Sequence, residues 1–237
     1  MAKTTAEDEF LKKLTDLFLA EGISNLTVGE IASRMQCSRR RLYGIAETKE
    51  DIFHAMTMRF FNEVLDEGEA LIQGQQQDLT VALTAYLDVG VRAAGRMSAR
   101  FLKDLEETES ARACFDAYQQ ARARRFSQLI DQGVSEGVFI QCHGQVVSEM
   151  MLGAALRIRR AGFLAQANLT LEEAFAEFYR VVLTGLLSDT SAVSPRQRNN
   201  PNEKRNASTP TRKSKSGSKP GPADDTKDRL LIAAWDR

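Results

Sequence analysis

The chain contains very little proline, cysteine or tryptophan. Only five of its 237 residues are proline, and none precedes Pro195. Because proline breaks helices and central strands, helices can run almost uninterrupted through the first 187 residues. The three cysteines, Cys37, Cys114 and Cys142, are far apart and odd in number. They exclude a disulfide framework and are typical of a reducing compartment.

Long apolar runs and an excess of charge of one sign are also lacking. No segment approaches the roughly 20 apolar residues of a membrane span, and MAKTTAEDEF lacks the apolar centre of a signal peptide. We therefore expect a cytoplasmic protein with no membrane partner. Lys and Arg total 32, as do Asp and Glu, so the formal net charge is zero. Contact with nucleic acid must then be judged from the distribution of charge.

Catalytic and metal-binding patterns are scarce as well. The two histidines are His54 and His143, and the second directly follows Cys142, which is not the spacing of metal ligands. The sequence shows no nucleophile elbow, no glycine-rich phosphate loop and no set of paired carboxylates. We expect no catalytic residue, no metal and no cofactor, and we predict that the protein is not an enzyme.

The apolar residues of the first 187 positions recur mostly with the period of a helix. Residues 5–21 place their apolar side chains on one stripe of a helix, which Gly22 can end. Thr27 and Glu30 have the spacing of a capping box, which predicts that a second helix starts at Thr27. Ser38 is a suitable cap for a short third helix that contains three consecutive arginines.

Longer helices follow, and no segment shows the alternation of a strand. A fourth helix is predicted to begin near Thr48, and the polar GQQQD run at 74–78 is predicted to be a linker. The remaining helices are predicted at 79–95, 98–107, 110–136, 145–166 and 170–187. The fold class predicted is all-α, with about nine helices.

The third predicted helix lies in a region of one charge sign. Between Glu30 and Glu47 there is no acid, but there are four arginines. Two short helices separated by three or four residues have the helix-turn-helix spacing, in which the second helix enters the major groove of DNA. Three consecutive arginines cannot all face one groove. We expect one to point at base edges, one at phosphate, and one to pair with an acid on the first helix.

From Thr27 to Ile52 the sequence resembles the DNA-binding segment of TetR-type transcriptional regulators. The shared pattern is T-V-x-E-I-A, a cysteine–serine turn, L-Y and T-K-E-x-I. The resemblance implies a DNA-binding domain at 1–48 and a helical effector-binding and dimerisation domain at 49–187. It also implies phosphate contacts for Tyr43 and Lys49. The predicted DNA-binding residues are Thr27, Gln36, Ser38, Arg39, Arg40, Arg41, Tyr43 and Lys49.

The resemblance further implies a homodimer, formed through the last two helices of 145–187, on a palindromic double-stranded operator. We predict a ligand-responsive repressor that a small-molecule effector releases from DNA. A flexible apolar pocket would suit that effector, although core packing is the alternative for each candidate residue. The candidates are Tyr86, Met97, Phe101, Phe115, Tyr118, Met150 and Met151. The alternative function is a helical effector-binding or interaction protein that has lost selective DNA binding, because the family usually has phenylalanine at Ala46.

The composition changes after residue 187. Ser, Pro, Gly, Lys and Arg dominate 188–222, which predicts a disordered basic linker or tail. Residues 223–237 again have the pattern of an amphipathic helix. Two interpretations stay open: a short docking helix on a basic tether, or the start of a truncated second DNA-binding unit.

Overall fold

The computed structural model describes residues 5–74 and 78–187, and it confirms the all-α fold. Within that part the chain forms helices and no strand, with one isolated antiparallel bridge between Phe139 and Leu187. Both predicted tail segments, 188–222 and 223–237, lie outside the described residues. The helices are α1 (Ala6–Glu21), α2 (Val28–Arg34), α3 (Arg39–Tyr43), α4 (Lys49–Gly74), α5 (Leu79–Arg96), α6 (Ala99–Glu107), α7 (Glu109–Ser135), α8 (Gly144–Ile158), α9 (Ala161–Ala167) and α10 (Leu171–Leu186).

Local capping signals set the ends of the first three helices. Gly22 follows α1 with a φ of 69°, a left-handed conformation that suits glycine. Thr27 and Glu30 form the predicted capping box at the start of α2. The Ser38 hydroxyl accepts a hydrogen bond from the Arg41 amide and caps α3. The predicted helix-turn-helix is therefore present, with its second helix only five residues long.

The turn between α2 and α3 contains a residue that the sequence did not single out for its backbone. Gln36 has a φ of 51°, in the left-handed region, and its side chain is exposed. The Cys37 amide then donates to the Ala32 carbonyl at 2.9 Å, which closes the turn. A non-glycine residue in this conformation costs roughly 1–2 kcal/mol, so the packing of the two helices must hold it there.

The helix-turn-helix packs on α1 and on the first turns of α4. Leu42 of α3 and Ile31 of α2 are fully buried in the same core as Phe18 of α1. Phe18 meets Phe53 of α4 edge to face, with ring centroids 5.6 Å apart. Each such buried side chain contributes about 1.5–3 kcal/mol, so the short α3 is held by these contacts rather than by its own hydrogen bonds.

The remaining helices form a bundle around α4, α5 and α7. α4 packs against both α5 and α7, α10 lies along α5, and α8 lies along α7. In the middle of the bundle Phe61 stacks on Phe115 and Tyr118, with centroid distances of 5.0 and 4.5 Å. Because α4 begins beside the helix-turn-helix and continues into this core, one helix is shared by both parts.

The α1–α2 connection is tied directly to α6. Asp104 of α6 is only 4% exposed, and its carboxylate accepts hydrogen bonds from the amides of Ile23 and Ser24 and from the Ser24 hydroxyl. The Ser98 amide, at the start of α6, donates to the Leu19 carbonyl at 2.9 Å. A Cβ atom on Gly22 would overlap the Asp104 carboxylate, so glycine is needed there for space as well as for its backbone.

The prediction of a single helix over 145–166 was wrong, because the chain forms two helices there. α8 ends at Ile158, Arg160 is extended (φ −69°, ψ 125°), and α9 begins at Ala161. Arg159 donates to Asp116 at 2.9 Å and lies over the Phe115 ring, which holds the end of α8 on α7. The chain then turns so that α9 packs against α6. The described part therefore has ten helices rather than nine, because helical periodicity persists across the break and hides it.

Candidate nucleic-acid interface

The buried side of α3 determines which arginine faces outward. Leu42 is completely buried. At about 100° per residue, Arg40 lies about 160° around the helix from Leu42, on the side away from the core. Tyr43, about 60° from Arg40, is 50% exposed. The outer face of the second helix is thus led by one arginine and one tyrosine.

Arg41 is held by the first helix. Its Nη2 donates to the Glu7 carboxylate at 2.8 Å, and its guanidinium lies 3.8 Å from the centroid of the Phe10 ring. These two contacts join α3 to α1. The expectation that one of the three arginines pairs with an acid of the first helix is confirmed, and the structure identifies that arginine as Arg41.

Arg39 and Arg40 differ in whether their guanidinium groups contact another helix. The Arg39 guanidinium lies on the backbone of Gly29 in α2, where an added Cβ would come within 2.7 Å of Nη2. Neither Arg39 nor Arg40 forms a side-chain hydrogen bond or ion pair with any of residues 5–74 or 78–187, but Arg39 contacts α2 whereas Arg40 faces away from the core. Of the three guanidinium groups, that of Arg40 is therefore the one most available to a ligand.

Thr27 and Ser38 have their hydroxyl groups engaged as helix caps. Thr27 accepts from the Glu30 amide at 3.2 Å and donates to the Glu30 carboxylate at 2.8 Å. The hydrogen bonds from Thr27 hold the pKa of Glu30 below its usual value. The Ser38 hydroxyl accepts from the Arg41 amide at 3.2 Å. These two residues position the helix-turn-helix, whereas exposed Gln36 lies in the turn, three residues before the start of α3.

Lys49 has a structural role that its predicted phosphate contact did not include. Its ammonium group donates to the carbonyl oxygens of Ile23 and Leu26 at 3.3 and 3.1 Å. An ammonium has three N–H groups, so one remains for a further acceptor. The side chain is 24% exposed. Lys49 thus joins α4 to the α1–α2 connection beside the helix-turn-helix.

The seven residues predicted to bind an effector do not share one location. Tyr86, Phe115 and Tyr118 are buried in the bundle, whereas Phe101 contacts Phe53 with ring centroids 5.5 Å apart, near the helix-turn-helix. Met97 and Met151 are also buried. Met150 is 69% exposed on α8, so it lines no interior pocket.

Met150 instead is one of three exposed apolar side chains on the neighbouring helices α8 and α10. Val146 and Met150 of α8 and Val181 of α10 are each more than half exposed. Gly153 and Gly185 lie on the same helices, and a Cβ atom at either position would have no neighbour within 4 Å, so another surface could approach closely. We call the three side chains Val146, Met150 and Val181 the α8–α10 face.

Metal-binding clusters and membrane-spanning helices are both lacking in the described residues. No three His, Cys, Asp or Glu side chains are grouped there so that they could hold a metal ion. None of the described helices combines the length and apolar character needed to cross a bilayer.

Known proteins resemble this chain in structure. No protein-family model and no curated protein sequence matches it. A transcriptional regulator from Cytophaga hutchinsonii is 18% identical with a TM-score of 0.59, and the match covers 78% of this chain and all of that one. The TetR-family regulator PfmR from Thermus thermophilus is 19% identical, with a TM-score of 0.54 and coverages of 76% and 100%. SmeT, solved with triclosan, is 14% identical, with a TM-score of 0.57 and coverages of 78% and 95%.

These matches, together with the capped helix-turn-helix, identify the fold. The chain has the all-helical fold of TetR-family transcriptional regulators. The resemblance seen in Thr27–Ile52 thus extends to the arrangement of the helical body.

Proposed function

We propose that this protein is a sequence-selective, DNA-binding transcriptional regulator, a repressor that a small-molecule effector releases. The observation that carries the proposal is the position of the Arg40 side chain. Its guanidinium lies on the outer face of a capped helix, opposite buried Leu42, with no partner among the described residues and no acid between Glu30 and Glu47. An unpaired cation on an acid-free helix face is suited to the major groove.

The three arginines then have different roles. Arg40 reads a base edge, and guanine is the expected partner because arginine can donate to its O6 and N7 together. Arg39, on the same side as Tyr43, contacts phosphate. Arg41 orients α3 through Glu7 and Phe10 rather than reading a base.

Phosphate contacts set the register of the complex. Tyr43, which is half exposed, and the remaining N–H of Lys49, whose ammonium lies 3.9 Å from the Glu50 carboxylate, would contact the backbone of the same half-site. Because Lys49 also holds the α1–α2 connection, its replacement should alter both phosphate attraction and the position of α2. In this proposal residues 1–48 are the DNA-binding domain and 49–187 the effector-binding and dimerisation domain.

The α8–α10 face is the proposed dimer interface. Exposed apolar residues on two adjacent helices are expected where a second copy packs, and two-fold symmetry places the two α3 helices on a palindrome. Half-sites read by such dimers are about 34–36 Å apart or multiples of that distance. The sequence resemblance assigned dimerisation to the last two helices, and we now assign it to α8 and α10, on either side of the short α9.

Effector release requires that the effector bind one arrangement of the dimer better than the other. In this proposal, a shift of α6 caused by the effector would move the helix-turn-helix, because Asp104 of α6 accepts hydrogen bonds from the α1–α2 connection. A related fold is known with a bound small molecule, since SmeT was solved with triclosan. We propose a binding rather than a catalytic role for this chain.

A gel-shift experiment tests the function. The full chain should shift DNA from upstream of its own gene in the presence of excess non-specific competitor. Arg40→Ala should weaken binding by about 1–3 kcal/mol per half-site, the value of one bidentate arginine–base pair. Arg41→Ala is the matched comparison, because it changes the same charge but a side chain held against α1. Equal binding to operator and competitor would support the alternative, a helical interaction protein without selective DNA binding.

A further inference from the structure

Arg122 lies in the interior of the helical body with an uncompensated positive charge. Its side chain is 3% exposed, and Nη1 has no hydrogen-bond partner in the part of the chain that the structure describes. Nη2 donates to the Tyr86 carbonyl oxygen at 3.2 Å. The ionisable groups that act on Arg122 are three tyrosines, Tyr86, Tyr118 and Tyr179, whereas nearby Arg125 pairs with the Glu69 carboxylate at 2.8 Å.

The groups around Arg122 cannot neutralise it. Its guanidinium carbon lies 4.6 Å from the Tyr86 ring centroid and 5.8 Å from that of Tyr118, and the guanidinium also interacts with the hydroxyl groups of Tyr118 and Tyr179. Burial raises the pKa of Tyr86 to about 12, although Arg122 opposes the rise, and burial also raises the pKa of Tyr118 and Tyr179. All three hydroxyls are therefore neutral near pH 7. Ring faces attract a cation but carry no opposite charge.

The surrounding backbone leaves space for this arrangement. A Cβ on Gly90 of α5 would come within 2.6 Å of the Arg122 Nη2, and a Cβ on Gly68 of α4 would come within 3.0 Å of the Tyr86 ring. The Tyr86 hydroxyl also donates to the Arg122 carbonyl at 3.2 Å, so the two residues bind each other in both directions. Four helices, α4, α5, α7 and α10, meet at one buried cation.

We propose that Arg122 is the recognition group of the effector site, and that the effector is an organic monoanion with a carboxylate. The carboxylate would accept from Nη1, and the hydroxyls of Tyr118 and Tyr179 can donate to its oxygens. A single buried cation compensates a single negative charge. The apolar remainder of the ligand would lie against the Phe61–Phe115 stack. A bound water could satisfy Nη1 but would leave the charge in place.

This proposal rests on the proposed function, since it names the effector class of that regulator, but its test needs no DNA. Thermal unfolding of the full chain is measured with hexanoate, benzoate and phenylacetate, and with the three corresponding amides. A ligand at 100 times its Kd should raise the Tm of a chain of this size by about 5–10 °C. We expect at least one carboxylate to do so and its amide to have no effect. A wild type that responds but binds no DNA refutes only the proposed function.

Variants separate recognition from a structural role. Arg122→Gln should abolish the carboxylate response, and Arg122→Lys, which keeps the charge, should retain part of it. Arg92→Gln is the control, because Arg92 is exposed and paired with Glu67. Without ligand, Arg122→Met should have a Tm equal to or above that of the wild type, since it removes an uncompensated charge. The proposal is overturned if carboxylates and amides act alike or not at all on the wild type, or if Arg122→Met lowers the Tm by more than about 5 °C.

Discussion

Replacing Asp104 tests the hydrogen bonds that join the α1–α2 connection, beside the helix-turn-helix, to α6 of the helical body. In Asp104→Ala the Ile23 amide stays buried without an acceptor, which costs about 1–3 kcal/mol. The two Ser24 donors can turn to water, because Ser24 is exposed, but each loses a hydrogen bond to a charged group. The total is about 3–5 kcal/mol of unfolding free energy. This corresponds to a Tm lower by roughly 6–20 °C for a chain of this size.

The assay is urea unfolding followed by circular dichroism, with the m-value checked for two-state behaviour. Asp104→Asn keeps one carbonyl oxygen as acceptor and should cost only about 1–2 kcal/mol. Asp16→Ala is the control, because it removes an exposed ion pair with Arg96 and should change stability by less than about 0.5 kcal/mol. If Asp104→Ala costs under about 1 kcal/mol, or no more than Asp104→Asn, the reasoning is wrong.

Two further predictions concern the turn and the dimer. Gln36→Gly should raise the unfolding free energy by up to about 1 kcal/mol, because glycine adopts the positive φ without strain. Gln36→Val should lower it by more than that. Urea titration measures both changes, and a glycine variant less stable than the wild type would contradict the strain argument. If the α8–α10 face is the dimer interface, Met150→Glu together with Val181→Glu should give a monomer at micromolar concentration, because two-fold symmetry places each new charge in the apolar interface twice. Light scattering coupled to gel filtration gives the mass, and an unchanged dimer would place the interface elsewhere.

The sequence allowed good prediction of features that depend on neighbouring residues. The caps at Thr27 and Ser38 and the glycine stop at Gly22 use hydrogen bonds or dihedral angles within a few positions, so their patterns can be read directly. Helical periodicity likewise located the long helices. It failed at Arg159–Arg160, where contacts with α7 end one helix and the apolar period does not change.

Features that depend on residues far apart in the chain were predicted only in part or not at all. That one arginine would pair with α1 was expected, but its identity depends on where Glu7 and Phe10 lie in space. Asp104 looks like an ordinary surface acid, because its partners are about 80 positions earlier in the chain.

A signal for Arg122 was present in the sequence. It falls on the apolar stripe of α7, four residues after Tyr118 and four before Phe126, both of which are buried. A charged residue in line with such a stripe must be buried or must interrupt the core. Periodicity alone does not distinguish the two, and the packing of α5 and α10 decides it here.

The central claim, selective DNA binding through α3, is tested most directly by selection from a random double-stranded DNA pool. Wild type and Arg40→Ala are each used to enrich sequences at moderate salt, with Arg41→Ala in parallel. We predict that the wild type enriches a palindrome, and that Arg40→Ala loses the preference at one symmetry-related pair of positions, expected to be guanine. No enriched motif with the wild type, or an unchanged motif with Arg40→Ala, would contradict the account.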